Sequence, residues 1–494
     1  MSFSLASTYL AFDLGAESGR VFLGRLKRGL LSIQEVHRFP NEAVGYNTEL
    51  HWDVPRLWLE MQRAMAKTGR MSDVRLAGIG VDAWGLDYAL LGEGGTLLEN
   101  PYHYRDARTQ GVMERVLEVV PPEQIYAQSG IQFLPVNALY QLYAANQRTP
   151  KLLEAAKHLV TIPDLFNFWL TGRVACEFTS ASCTQFYDSR NRCWATEILQ
   201  RLQLPTHLLA PVIEPGTEIA SLLPGIASQS GIAACPVIAP ACHDTGSAVA
   251  AISSGTASAF ISSGTWSLLG TETRRPVITD QARLLNFTNE GGVCGTYRVL
   301  KNILGLWLLQ CCRRDWKTKG HDYSYSELCE AAASKPAFRS LIDPDDPSFL
   351  RPPDMPLAVT EFCLRTDQPV PEDPPACVRA ILESLAFKYR YVLESLEQLT
   401  GRKFEEIRIV GGGVQNSLLN QFTADATGRR VTAGPIEAAA IGNIGMQALT
   451  TGAVQSLDQV REVIAGSFPV QEYEPREAGK WLQTYPRFTR YCGR

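Results

Sequence analysis

Three aspartates, Asp13, Asp82 and Asp244, stand at or just past the ends of apolar runs with β character. Carboxylates at strand ends of an open α/β sheet face the ligand crevice. Three glycine-bearing turns accompany them, at Gly15–Gly19, Ser262–Thr265 and Gly411–Gly413. A glycine turn between a strand and a helix lets a ligand approach the backbone, and it aims N–H groups and the positive end of the helix dipole at an anion. The first turn adds the Ser18 hydroxyl and the Arg20 guanidinium, both suited to phosphate. Phosphoryl transfer to an alcohol needs Mg²⁺ on the phosphates and a base for the hydroxyl proton. In Cys242-His243-Asp244-Thr245 the aspartate can be that base while its neighbours hydrogen-bond a polyol. Each feature also has a plainer reading: glycines that merely permit tight turns, and an Asp244 that caps a helix over 245–251. Two hairpins together with the triple glycine favour a nucleotide clamped between two lobes.

Other chemistries are disfavoured. The triple glycine is not GxGxxG and no Walker A sequence occurs, so a dinucleotide or P-loop assignment has no direct support. Cys242 and His243 are adjacent, and neighbours on extended backbone point to opposite sides, which argues against a Cys–His nucleophile. Seven histidines without ligand spacing make a structural zinc site unexpected. A net charge of -4 argues against a generally cationic nucleic-acid binder. No apolar run approaches the roughly 20 residues of a membrane helix, and the start of the chain reads as a first strand, not a secretory leader. Twelve cysteines without a CxxC pair fit a reduced, cytoplasmic protein in which they serve packing.

The elements that must position these residues come in two sets. A strand over Tyr9–Asp13, a glycine turn, and strands at Val21–Leu23 and Leu31–Phe39 precede a helix over 54–67 with Asp53 placed to cap it. A buried strand, Leu76–Val81, then ends at Asp82. The second set repeats the opening with a strand at Ala259–Ile261, a turn over Ser262–Thr265 and a strand at Trp266–Leu269, which suggests two related lobes. Ser253–Thr256 is the expected boundary between them, and the proline-rich stretch 343–375 is expected to be loop. Near the C-terminus a helix over Val378–Leu399 stops at Gly401. A strand at Ile407–Val410, the triple glycine and a helix from Asn416 to about Thr427 follow, with Gly428 as its stop.

Several of these segments resemble the ordered motifs of the FGGY carbohydrate kinases: Asp13-Leu-Gly-Ala-Glu-Ser-Gly-Arg20, Gly80-Val-Asp82-Ala-Trp-Gly85, Cys242–Thr245, Ser262–Thr265 and Gly411–Gly413. Tyr104–Arg108, Ser129–Pro135, Asn289–Gly292 and Tyr297–Gly305 extend the likeness from about residue 8 to residue 450. The resemblance implies an α/β, two-lobed actin-like fold, duplicated on ribonuclease-H-like cores, with ATP in the inter-lobe cleft. Residues 1–252 are the expected sugar-binding lobe and 253–494 the nucleotide-binding lobe. It implies ATP and Mg²⁺ as cofactors, a small sugar as partner with neither nucleic acid nor membrane, and transfer of the γ-phosphate to O1 of L-rhamnulose. Another ketose such as L-fuculose is the alternative substrate, and a sugar-independent actin-like ATPase is the rival from a different class. Position by position, Asp244 resembles the general base, and Gly85, His243, Thr245 and Asn302 the sugar contacts. Ala16, Glu17, Ser18, Gly19, Arg20, Thr265, Gln310 and Gly412 resemble the nucleotide contacts, and Asp13 a holder of Mg²⁺ through water. The FGGY tetrapeptide itself is absent, and Glu17 stands where relatives often carry serine. Its carboxylate is expected to turn away from phosphate.

Overall fold

The computed structural model describes residues 6–72, 74–252 and 257–492. The expected boundary Ser253–Thr256 lies outside the described residues. The fold separates into two compact units. The first comprises Met1–Ser253, Glu272–Val299 and Ala438–Phe468; the second comprises Ser254–Thr271, Leu300–Glu437 and Pro469–Arg494.

In the first unit, Ser7–Leu14 (β1) and Ser18–Lys27 (β2) form an antiparallel hairpin that Leu30–Pro40 (β3) extends. Leu76–Ala83 (β4) pairs parallel with the other side of β1. Thr217–Ser221 (β5) and Pro236–Ala239 (β6) complete the order β3-β2-β1-β4-β6-β5, with β6 parallel to β4 and β5 antiparallel to β6. The central strands β1 and β4 are buried almost throughout, which their near-continuous apolar sequences dictate, whereas the edge strand β3 is largely open to solvent. Helix Val54–Gly69 begins where expected, with Asp53 accepting the Arg56 N–H at 3.2 Å.

The second unit repeats the pattern. Ser258–Ser263 (β7) and Trp266–Thr273 (β8) form a hairpin, and Glu406–Val410 (β9), Arg430–Ala433 (β10) and Gln471–Tyr473 (β11) follow in the order β8-β7-β9-β10-β11. From hairpin to edge, the pairings in both units run antiparallel, parallel, parallel, antiparallel. The shared hairpin opening read from the sequence is therefore one corner of a repeated five-strand order, within a six-stranded sheet in one case and a seven-stranded sheet in the other.

Two expectations need correction. The second hairpin turn is only Gly264-Thr265, because Ser262 and Ser263 stay in the ladder opposite Leu268 and Ser267. The stretch 343–375 is also not all loop, since it contains helix Met355–Arg365 and the start of helix Pro374–Thr400. Asp354 caps the first, accepting from Leu357 N at 3.0 Å, and Asp373 caps the second, accepting from Ala376 N at 2.9 Å. The prolines beside them lie in first turns, where a missing N–H removes no helical hydrogen bond, so they start helices here.

Helix Ala438–Thr450 returns late in the chain to pack on the first unit's sheet. A side chain on Gly80 would overlap Asn443, and one on Gly442 would overlap the Ser247 carbonyl. These glycines let the helix sit close enough for Gln447 Nε2 to donate to the Leu10 carbonyl at 3.1 Å. Among the described residues, no helix is long and apolar enough to cross a membrane. None of the twelve cysteines is in a disulfide, and eight of them are buried.

Candidate active site

The ends of β1 and β4 place the first two aspartates together. Asp13 is the register partner of Asp82, and register partners on paired strands project to the same face. Both side chains are buried. Asp13 Oδ2 pairs with Arg20 at 2.8 Å, so the guanidinium assigned to phosphate by sequence is also tied to this carboxylate. Asp82 Oδ2 accepts from Asn443 Nδ2 at 2.6 Å, while its Oδ1 has no hydrogen-bond partner among the described residues. Burial, and then the charge of Asp13, push the Asp82 carboxyl well above its ordinary range. Neighbouring carboxylates with an unsatisfied buried oxygen are a donor set that suits a hard divalent cation.

The turn after β1 is braced from one side. Gly15 N donates to the Ser18 carbonyl at 3.0 Å, Asn41 Nδ2 donates to the Gly15 carbonyl at 2.8 Å, and Asn41 N donates to the Glu17 carbonyl at 3.0 Å. Ala16 and Ser18 are half-buried and Glu17 is exposed. Gly19 is required by packing, since a Cβ there would overlap the Phe39 ring.

The same strand ends bring in the third aspartate. Ala83 N donates to the Cys242 carbonyl at 2.9 Å, and Trp84 N to the Leu14 carbonyl at 3.0 Å. Gly85 then passes so near His243 that a Cβ would lie 3.0 Å from its Nε2. His243 is the N-cap residue of helix Asp244–Ala250, and Asp244 is the first helical residue. Asp244 is therefore not the N-cap residue: among the described residues its Oδ1 accepts from the adjacent Thr245, from N at 2.5 Å and Oγ1 at 3.2 Å. The side chain is 29% exposed, which leaves Oδ2 accessible to a hydroxyl.

Sequence reasoning missed the residues that hold this turn. Glu177, fully buried, accepts the Cys242 N–H at 2.9 Å, the Thr179 N–H at 2.9 Å and the Thr179 hydroxyl at 2.5 Å. The same Thr179 hydroxyl oxygen accepts the His243 N–H at 3.0 Å. Burial pushes Glu177 up to about 8 despite these donors. Asp87 is a second buried anchor, accepting from the indoles of Trp52 at 2.6 Å and Trp84 at 2.9 Å and from Gln141 Nε2 at 2.8 Å. It fixes Trp84 beside Gly85, and burial raises its carboxyl to about 6. Neither glutamate nor aspartate sits in a recognisable spacing, so their partners appear only in the fold.

In the second unit, the Gly264-Thr265 turn is stitched to the start of helix Trp307–Thr318. The Thr265 carbonyl accepts from Gly305 N at 3.2 Å and Trp307 N at 3.1 Å, and the Gly264 carbonyl from Leu306 N at 3.1 Å. Gln310 lies in that helix's first turn. The triple glycine meets the same hairpin through Ser263. Gly411 has φ +85, and a Cβ there would lie 2.9 Å from the Ser263 carbonyl; one on Gly413 would overlap Ser263 Oγ. Gly412 alone is exposed, with nothing within 4 Å of a Cβ. Tight packing thus accounts for the outer two glycines and leaves the middle one facing open space. Asn302 is half-buried on strand Tyr297–Leu304. The structure gathers Asp13, Gly85, His243, Asp244 and Thr245 in the first unit, and Thr265, Gln310 and Gly412 in the second.

Comparison with known proteins identifies the family. The N-terminal domain model of the FGGY family of carbohydrate kinases matches residues 8–251, and the C-terminal domain model matches residues 259–451. A rhamnulokinase of Bacteroides thetaiotaomicron is 42% identical over 485 residues, 98% of this chain and 99% of that protein. One from Pectobacterium carotovorum is 43% identical, covering 97% of this chain and 95% of its own. Among solved structures, a gluconate kinase from Lactobacillus acidophilus superposes with a TM-score of 0.81 at 17% identity, covering 98% of this chain and 97% of that one. Plasmodium falciparum glycerol kinase with ADP gives 0.75 at 16%, covering 99% and 98%. The two matched domain models together span nearly the whole length from β1 to helix Ala438–Thr450, and the chain belongs to the FGGY family of carbohydrate kinases.

Proposed function

We propose that the chain transfers the γ-phosphoryl group of ATP to O1 of L-rhamnulose, yielding L-rhamnulose 1-phosphate and ADP for rhamnose catabolism in the cytoplasm, where ATP is supplied. The observation that carries the substrate is the 42% and 43% identity, over nearly the full chain, to proteins that are rhamnulokinases. Residues 1–252 take the sugar and 253–494 most of the nucleotide. Gly85, His243, Thr245 and Asn302 bind the ketose. Asp244 Oδ2 accepts the O1 proton as the phosphoryl group leaves ATP, a proton that moves late in a loose transition state. Ala16 to Arg20, Thr265, Gln310 and Gly412 contact the nucleotide. Glu17 does so through its backbone, with its exposed carboxylate directed away. Asp13, with Asp82 beside it, would hold Mg²⁺, which when bound offsets charge on the ATP phosphates.

The test is ADP release with MgATP across L-rhamnulose, L-fuculose, L-xylulose and a no-sugar control. Turnover highest with L-rhamnulose and negligible without sugar is expected. A different best ketose would change the substrate and keep the kinase, and sugar-independent hydrolysis would replace the kinase with an ATPase.

Gly412 provides a separate check on the nucleotide side. Its Cβ position is empty, so Gly412→Ala should leave the thermal midpoint within a degree or two of wild type. The added methyl would meet the nucleotide, raising KM for ATP by roughly 10-fold, or about 1.4 kcal/mol of lost binding, with KM for the ketose unchanged. An unaltered KM for ATP would return Gly412 to the tight-turn reading.

A further inference from the structure

His243 presents its two ring nitrogens to very different surroundings. Nε2 faces Gly85 and lies 3.5 Å from Asp244 Oδ1. Nδ1 faces a buried cluster of Cys183, Glu290 and Arg298, with Cys183 Sγ at 3.2 Å, Glu290 Oε2 at 3.3 Å and an Arg298 terminal nitrogen at 3.1 Å. Arg298 is fully buried. Its Nε donates to the Gly291 carbonyl at 2.8 Å, and the nitrogen that touches His243 also pairs with Glu290 at 3.2 Å.

These contacts restrict where the imidazole proton can sit. A guanidinium has donors only, so its 3.1 Å contact is a hydrogen bond only if Nδ1 offers a lone pair. A proton on Nδ1 would meet the Arg298 proton head-on and place two cations together in a dry pocket. Burial opposes a charge on the imidazole, but an ionised Cys183 and then Glu290 would favour that proton and lift His243 well above its ordinary range. The tautomer therefore turns on whether Cys183 is ionised and Glu290 is free. Glu290, however, already has a cation: against burial, which pushes it up, the Arg298 guanidinium holds its carboxyl below the ordinary range. Burial pushes the Cys183 thiol up, so it is uncharged at neutral pH, and its single proton also has the Thr179 carbonyl as acceptor at 3.1 Å. The three potential metal ligands of the cluster thus enclose a place whose cation is the guanidinium.

We propose that Arg298, held by Glu290, fixes His243 as the neutral Nε2–H tautomer, so that the imidazole presents a hydrogen-bond donor to an oxygen of the ketose. Arg298 and Glu290 are then positioning residues that act through His243. The benefit to the sugar rests on the function proposed above; the tautomer does not, and the two can fail separately. An enzyme with the assigned tautomer but without ketose-dependent ADP release would sink the function and leave the tautomer standing.

The experiment is long-range ¹H–¹⁵N correlation on the full chain labelled with ¹⁵N-histidine, the His243 signals being assigned by their loss in His243→Asn. The expected spectrum has an unprotonated Nδ1 and a protonated Nε2, unchanged from pH 6 to 9. A Nδ1–H tautomer, or two protonated nitrogens at pH 7, would overturn the proposal without any further variant. Arg298→Met should move the proton to Nδ1 against Glu290 and raise KM for the ketose at least about 10-fold while leaving KM for ATP in place. Arg298→Lys, which keeps a charged donor, should restore part of both readouts. Arg298→Met with the wild-type tautomer and KM would also overturn the assignment.

Discussion

Asp244→Asn should lower kcat by roughly 10²- to 10⁴-fold, the usual effect of removing a general base, with little change in stability. The geometry makes this substitution unusually clean. Both hydrogen bonds to the carboxylate fall on Oδ1 from the next residue, Thr245, and the side chain is partly solvent-exposed. The asparagine Oδ1 can keep both, so the helix start is preserved. Its amide then occupies the Oδ2 position and presents hydrogens to the ketose hydroxyl, which loses its proton acceptor and gains a competing donor. Because the lost interaction belongs to the transition state, kcat should fall with KM for the ketose nearly constant. Single-turnover phosphorylation alongside the thermal midpoint decides the matter. Near-normal chemistry in a folded variant would remove Asp244 from the role of base.

The parts of this site legible in the sequence are those made by neighbours in the chain. β1 and its turn, the Asp53 cap, the stops at Gly401 and Gly428 and the Asn416 cap all follow from local patterns, and each lies where those patterns place it. Asp244 could be suspected from its place at a strand end, with a helix cap as the plainer reading. The supports for these residues come from far away. Glu177 reaches Cys242 across 65 residues, Arg298 reaches His243 across 55, and Asn443 reaches Asp82 across 361. No periodicity encodes such pairings, since a buried carboxylate and its donors need proximity in space and not in sequence. The helix at Met355–Arg365 was hidden for a different reason: prolines that begin helices and prolines that break chains look alike until the capping aspartate before them is weighed.

Those distant supports make Glu177 the position where substitution should be most damaging to the fold. Removing its carboxylate in Glu177→Ala strands the N–H groups of Thr179, Ser180 and Cys242 and the Thr179 hydroxyl in a dry interior. A loss of several kcal/mol is expected, since each buried donor left without an acceptor costs about 1–3 kcal/mol. Activity should fall as well, because the Thr179 hydroxyl carries the His243 N–H and its release frees the residue preceding Asp244. A shift of about 1 Å at a catalytic group is worth roughly 100-fold in rate. The pH dependence gives a sharper signature. Burial raises Glu177 to about 8 in the fold, against about 4.3 in an unfolded chain. The folded protein therefore holds a proton that the unfolded chain has released, and this contribution is complete below about pH 4.3 and declines toward pH 8 by about 1.4 kcal/mol per unit. Glu177→Gln is neutral at every pH and should lose that slope while retaining part of the hydrogen bonding. Urea unfolding of both proteins at pH 6 and pH 7.5 measures the difference directly. Parallel pH dependences would mean that Glu177 is ionised in the fold, its four donors outweighing its burial, and would reverse the sign of its contribution.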